Sequence, residues 1–199
     1  MKFCKQRTGA ILIDFLIAMV GALLVGSSLV ILIKCTYTSQ SIVAGDNLAY
    51  AGGRKALDVL SAHLANAQPY QTSSSPVTYS VLSAGAATSV TCYTNSTGDT
   101  ERYWLDTTVT PPALKLTKTV SGVATTSVVV NGIQSLQFTY YLCNGSNYNS
   151  AAWLSNTTMP TASNLPTVGA VNITATATVN GYQQQISSFI RLRNSPYRS

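Results

Sequence analysis

Residues 10–33 read AILIDFLIAMVGALLVGSSLVILI, and this stretch decides the fold. Asp14 is its one charged residue, and the run from Phe15 to Ile33 carries no charge before Lys34 ends it. A helix needs about 20 consecutive apolar residues to cross the hydrocarbon core of a bilayer. A core helix that is apolar on all sides would be unusual in a chain of only 199 residues. The run therefore predicts a helix that crosses a membrane and contacts its lipid.

The residues after this run predict that the helix continues as an amphipathic segment over 34–68. Three leucines recur at spacings of three and four, which places them on one helical face: Leu57, Leu60 and Leu64. Gly45 and the Gly52-Gly53 pair interrupt the segment, and each glycine costs about 1 kcal/mol relative to alanine. We therefore expect a kink or a softened turn there, and we expect Pro69 to stop the helix.

The remaining residues, 70–199, have the composition of a β-rich domain, because short runs of valine, threonine and tyrosine alternate with turn-forming residues. The runs predict strands over 77–83, 89–94, 102–107, 113–120, 125–130, 135–141, 169–179 and 183–193. Asn131-Gly132 and Asn180-Gly181 are hairpin signals, and 144–168 predicts a loop. The whole chain predicts an α+β fold, in which the long N-terminal helix packs on an antiparallel β-sheet.

The nine residues before the apolar run are MKFCKQRTG, so a basic segment ends in a glycine directly in front of the run. A secretory signal peptide has the opposite order, with its cleavage site after the apolar segment. The arrangement resembles the N-terminus of type IV prepilins. This resemblance implies that residues 1–9 are a leader and that a prepilin peptidase cuts between Gly9 and Ala10. It also implies that Ala10 becomes the N-methylated first residue of the mature chain.

Asp14 stands at the fifth position counted from Ala10, where the type IV pilin family places a carboxylate, usually that of glutamate. A carboxylate in a bilayer helix costs at least about 2.5 kcal/mol, so an interaction that offsets the cost is expected. The positive end of the helix dipole favours a negative charge at this place. The resemblance implies that the partner is the N-terminal amine of a neighbouring subunit. The side chain of Asp14 is one methylene shorter than that of glutamate, so its reach towards this amine is reduced.

The stretch VVVNGIQSLQFTYYLCNGSNYNSAAW, residues 128–153, resembles a strand and loop of PilW-like minor pilins and of J-type minor pseudopilins of type II secretion. The matching residues are Gly132, Ile133, Leu136, Phe138, Tyr140, Gly145 and Trp153. In these families a Leu-Pro step leads into an alternating strand, and the last strand ends in Arg-Leu-Arg-Asn. Leu165-Pro166, residues 169–179 and Arg191–Asn194 correspond to these features.

The resemblance implies a pilin-like version of the α+β fold. It also implies a structural minor subunit that joins other minor and major pilins and helps to prime filament assembly. It also implies an inner-membrane assembly platform as a partner. The chain would be a single-pass inner-membrane protein with residues 70–199 in the periplasm, and later part of a filament at the cell surface. The filament could be a type IV pilus, a competence filament or a type II secretion pseudopilus, and the residues leave all three open.

Two other functions remain open on the residues. The first is an uncut signal anchor. By the positive-inside rule, its basic residues Lys2, Lys5 and Arg7 would stay in the cytoplasm. The second is a filament-borne adhesin or DNA-binding subunit, since the net charge of +6 would still be +3 without the leader. No basic run with interleaved aromatic residues occurs outside the termini, so nucleic acid is a weakly supported partner.

The four cysteines divide between the helix and the β-rich domain. Cys4 lies in the expected leader and Cys35 follows the apolar run, whereas Cys92 and Cys143 lie in the region expected to be exported. Two cysteines in an exported domain are compatible with a disulfide. Two free thiols, with one of them buried as a small apolar side chain, are the alternative.

Enzymatic chemistry is not indicated by the sequence, and no cofactor or metal is expected. His63 is the one histidine, and neither a GxSxG elbow nor a phosphate-binding loop occurs. Asp99, Glu101 and Asp106 are the nearest approach to an acidic cluster, without the spacing of a calcium loop. We therefore expect these three carboxylates to lie at a solvated hairpin tip.

Overall fold

The computed structural model describes residues 4–74, 76–143 and 155–195. One α-helix, α1, spans Cys4–Asn66, and a short 3-10 turn spans Leu165–Thr167. The strands of the described residues are β1 Tyr70–Ser74, β2 Val77–Ser80, β3 Leu82–Ala86, β4 Ser89–Tyr93, β5 Thr100–Asp106, β6 Ala113–Val120, β7 Val123–Asn131, β8 Ile133–Leu142, β9 Ser155–Thr157, β10 Val168–Val179 and β11 Tyr182–Arg191. All pairings are antiparallel. The predicted α+β arrangement with a long apolar N-terminal helix is confirmed.

The chain divides into two compact units, and the boundary lies within α1 between Ala44 and Gly45. In the first unit every described side chain from Ile11 to Ala44 is exposed. In the second unit the C-terminal part of α1 packs on the β-strands. Its buried face carries the leucines that the sequence had placed together, namely Leu57, Leu60 and Leu64. The amphipathic character of this part of the helix is therefore confirmed, and the helix ends at Asn66, two residues before the expected end.

The β-strands form three sheets. A five-stranded meander has the order β3-β4-β5-β6-β7, a four-stranded sheet has the order β11-β10-β8-β9, and β1 pairs with β2. The core lies where α1 and the two larger sheets meet, and its largest fully buried side chains include Leu60, Tyr103, Phe138, Tyr140 and Ile173. Phe138 and Tyr140 are thus packing aromatics of this core.

Three details of the strand prediction are wrong. The predicted strand 77–83 is two strands, β2 and β3, that belong to different sheets. The predicted loop 144–168 contains β9, and residues 144–154 of it, with Gly145 and Trp153, lie outside the described residues. Asn131-Gly132 is not a hairpin turn, because β7 and β8 lie in different sheets and the dipeptide connects the two.

The glycines of α1 have a packing role that the sequence did not indicate. The helix is continuous through Gly45 and the Gly52-Gly53 pair, where a softened turn was expected. A Cβ on Gly45 would overlap the ring of Tyr182, and one on Gly53 would lie 2.9 Å from Cδ1 of Ile186. The absent side chains let β11 approach the helix closely.

Candidate functional site

The N-terminal part of α1 is the first candidate site, because it combines the predicted processing residues with the apolar run. Among the described residues it is the one helix long and apolar enough to cross a membrane. None of its most apolar window is buried within the protein. Exposed apolar side chains surround the helix here, which is compatible with a helix that crosses a membrane.

The polar hydroxyls inside the apolar run are satisfied within the helix. The hydroxyls of Ser27 and Ser28 both donate to the carbonyl oxygen of Leu24, at 2.9 and 2.8 Å. Just beyond the run, the hydroxyl of Thr36 donates to the carbonyl oxygen of Leu32 at 2.9 Å. Burying a hydroxyl without a hydrogen-bond partner in hydrocarbon costs free energy. These hydrogen bonds to the helix backbone therefore make the run compatible with a lipid environment.

The predicted processing residues lie on this helix. Gly9 and Ala10 are part of α1, which begins at Cys4. Asp14 lies one turn after Ala10 and is exposed. It makes no ion pair with any side chain that the structure describes. The carboxylate is therefore available on the surface of an otherwise apolar helix.

Cys92 and Cys143, for which the sequence left a disulfide and two free thiols open, are free thiols in the structure. Cys92 lies on β4 in the five-stranded sheet, where its Sγ donates to the carbonyl oxygen of Glu101 at 3.7 Å. Cys143 directly follows β8, in the other sheet. Burial, together with the negative charge of Glu101, raises the pKa of the Cys92 thiol to about 12. Such a thiol stays protonated at neutral pH and is a poor nucleophile.

The second candidate site is a buried carboxylate that the sequence prediction placed wrongly. Glu101 is only 6% exposed, not at a solvated hairpin tip. Its Oε2 lies 2.6 Å from Nδ1 of His63 and accepts a hydrogen bond from the Tyr103 hydroxyl at 3.1 Å. Its Oε1 pairs with Nζ of Lys118 at 2.8 Å. Residues two apart on a strand lie on the same face, so a core position for Tyr103 on β5 could have placed Glu101 on the core side as well.

The electrostatics of this cluster keep Glu101 ionised. Burial acts to raise the pKa of its carboxyl, but the Lys118 hydrogen bond and the charge of His63 outweigh burial and lower it. Burial and the neighbouring carboxylate raise the pKa of Tyr103. An ionised carboxylate can only accept hydrogen bonds, so Nδ1 of His63 is the donor in its contact with Oε2. The three partners fix Glu101 as a structural anion between α1, β5 and β6.

Asp106 is a second buried carboxylate, also outside the expected solvated tip. It pairs with Nζ of Lys115 at 2.5 Å, and Thr108 donates both its hydroxyl and its backbone N–H to Oδ1. These hydrogen bonds lower the pKa of the Asp106 carboxyl to about 2. Asp99 is partly exposed and accepts the backbone N–H of Ser121 at 2.9 Å. All three carboxylates hold the fold together.

A cavity of about 320 Å³ lies beside His63, and Cys92, Tyr93 and Glu101 also line it. Its groups do not form a nucleophile–base pair, because the thiol is held protonated and the imidazole is bound to Glu101. Within the described ranges no three histidine, cysteine or acidic side chains are grouped to hold a metal ion. The arrangement is that of a satisfied structural cluster.

The comparisons with known proteins add no family. No model of a protein family matches the chain, and no curated protein matches it significantly.

Proposed function

We propose that this chain is a structural minor subunit of a type IV pilus or of a related type II secretion pseudopilus, and not an enzyme. One observation carries the proposal: the helix from Ile11 to Ala44 is exposed on all sides and precedes a separately packed β-rich unit. Such a helix needs lipid before assembly and the helices of neighbouring subunits afterwards. The β-rich unit would then face the periplasm and later the surface of the filament.

In the proposed mechanism a prepilin peptidase hydrolyses the peptide bond between Gly9 and Ala10. The cut leaves a carboxylate on Gly9 and an amine on Ala10, which is then methylated. In the filament the Asp14 carboxylate of one subunit pairs with the Ala10 amine of the next. The exposed position of Asp14, without an ion pair to a described side chain, supports this role. Exchange of lipid for neighbouring apolar helices lets the subunit leave the membrane, driven by an assembly platform.

The N-terminal mass of the full chain tests the proposal. The chain is produced in cells that have a prepilin peptidase and in cells that lack it. We expect a mature protein that begins at Ala10 in the first case and an uncut protein in the second. Gly9→Val should stay uncut, whereas Gly21→Val, with nothing within 4 Å of its added Cβ, should be cut normally. A protein that keeps Met1 despite the peptidase would overturn the proposal.

The role of Asp14 is tested separately by incorporation into filaments sheared from cells. Asp14→Ala should be cut and methylated normally yet fall out of the filament fraction. Asp14→Glu, which has the carboxylate usual in the family, should be incorporated at least as well as the parent. Equal incorporation of the alanine variant would rule out the pairing with Ala10.

A further inference from the structure

The outer edge of the four-stranded sheet has the features of a site for strand addition. β11 is the terminal strand of this sheet, and all 10 of its residues pair with β10 in a register without a bulge. No strand that the structure describes pairs with its other side. A strand at such an edge presents a row of main-chain N–H and C=O groups to a partner.

The sequence of β11 does little to protect this edge. Natural sheets shield their edges with lysines, prolines or bulges, because an open edge recruits other strands. The strand reads YQQQISSFIR and contains no proline and no charge before Arg191. Its outward residues from Gln183 to Phe189 are exposed. Among the described residues, this strand therefore carries no feature that blocks the addition of a second polypeptide.

A groove of about 510 Å³ lies at the C-terminal half of this edge. One wall is the end of α1, with Ser61 and Asn66, and the other is the strand segment Ser188–Arg191. Successive residues of a strand point to opposite faces, so a groove lined by four in succession follows the strand edge itself. The main-chain groups of the edge therefore open into the groove.

The groove is basic and carries one exposed aromatic ring. Arg191 and Arg193 line it, and no acidic side chain does. Arg191 is exposed and belongs to no salt bridge among the described residues. Phe189, on the same face of the strand as Arg191, is 46% exposed while its ring contacts that of Tyr141 at a centroid distance of 5.2 Å. The surface thus complements an extended segment that has both apolar and acidic side chains.

We propose that this groove binds an extended acidic peptide segment of a partner protein, which adds as a further strand beside β11 and places a carboxylate on Arg191. Main-chain hydrogen bonds to the edge would supply affinity, and Arg191 would select for acidic side chains and set the register. Two arginines are too few to hold a nucleic acid, whose binding depends on many phosphate contacts. The inference concerns the β-rich unit and does not require membership of a filament.

Fluorescence anisotropy on the full chain in detergent micelles tests this site, with the labelled peptide TVEVEVT as the probe. We expect saturable binding of this peptide and much weaker binding of TVKVKVT. A version methylated on alternate backbone nitrogens should not bind, since it cannot pair with an edge strand. Absence of binding by TVEVEVT, or equal binding of the methylated version, would overturn the proposal.

Charge reversal locates the site on the protein. Arg191→Glu should weaken TVEVEVT binding by at least about tenfold, because like charges then oppose each other, and should improve binding of TVKVKVT. Arg102→Glu is the matched control, an exposed arginine on β5 in the other sheet, and should bind like the parent. Far-UV circular dichroism checks that both variants are folded. An equal loss of TVEVEVT binding in both variants would reject the site. An oligo-dT strand that displaces the peptide from the parent but not from Arg191→Glu would reject a peptide occupant.

Discussion

His63 on α1 and Glu101 on β5 are joined by a hydrogen bond of 2.6 Å between Nδ1 and Oε2, although they are 38 positions apart in the chain. The other oxygen of the same carboxylate holds Lys118 of β6. The bond therefore ties the helix to two strands of the five-stranded sheet through one anion. It is the point at which a charge, rather than apolar packing, fixes the position of α1 in the β-rich unit.

Removal of this anion should destabilise the β-rich unit. Glu101→Ala leaves the buried Tyr103 hydroxyl without its acceptor, whereas the side chains of His63 and Lys118 are 39% and 49% exposed and can be hydrated instead. Loss of hydrogen bonds to a charged group costs about 1.5–3 kcal/mol. We expect a fall of this size in the free energy of unfolding, measured by urea denaturation of the full chain in detergent. Asp58→Ala removes the exposed partner of Arg54 and should leave the unfolding midpoint almost unchanged. Similar midpoints for both variants would contradict the structural role of Glu101.

Acid stability should depend on Asp106. Its pKa in the folded protein is about 2, below its usual value of 3.8, so the folded state favours the ionised form. The resulting stabilisation is complete above about pH 4, near the pKa of an unfolded aspartate, and is lost as the pH falls towards 2. Asp106→Asn should therefore make the urea midpoint less dependent on pH between about 4 and 2. A variant profile as steep as the parent's would show that other carboxyl groups control acid unfolding.

Local sequence signals predicted the elements of this fold better than their pairing. Asn180-Gly181 forms the predicted β10–β11 hairpin, with both residues at positive φ, 52° and 84°. Asn131-Gly132 carries the same signal but links two sheets. There the Gly132 N–H donates to the Pro112 carbonyl, and its carbonyl accepts from the Thr178 N–H. An Asn-Gly dipeptide sets the local backbone conformation. Which strand each flanking strand pairs with depends on contacts with strands that are distant in sequence.

The polar cluster could not be predicted because its members are distant in sequence and none belongs to a recognised motif. The apolar run before Lys34 identified the exposed helix directly, since its signal is local and continuous. The contacts of Glu101, in contrast, arise from tertiary structure. The register of β5 with β6 brings it to Lys118, and the packing of α1 on the sheet brings it to His63. Both depend on tertiary structure, which a single carboxylate at the start of a strand does not reveal.

The two thiols of the β-rich unit should differ in accessibility. Cys92 is buried, with its pKa raised to about 12, whereas Cys143 is partly exposed. Maleimide applied to the folded full chain without reductant should label Cys143 and leave Cys92 unmodified. Urea added without reductant should then expose Cys92 to the reagent. Mass spectrometry of the peptides reads both sites, and a Cys92 that becomes reactive only after reduction would show a disulfide instead.

Alanine substitutions at two glycines of α1 should act in opposite directions. At Gly45 the added Cβ meets the Tyr182 ring, and overpacking of this kind costs about 1–3 kcal/mol. At Gly52 nothing lies within 4 Å, so Gly52→Ala should stabilise by about 0.5–1 kcal/mol through helix propensity. Urea denaturation of the full chain measures both. In a Tyr182→Ala background the penalty of Gly45→Ala should shrink or vanish, because the ring that it strikes is gone. If Gly45→Ala stabilises the parent as Gly52→Ala does, close packing of β11 against the helix is not the reason for the glycine.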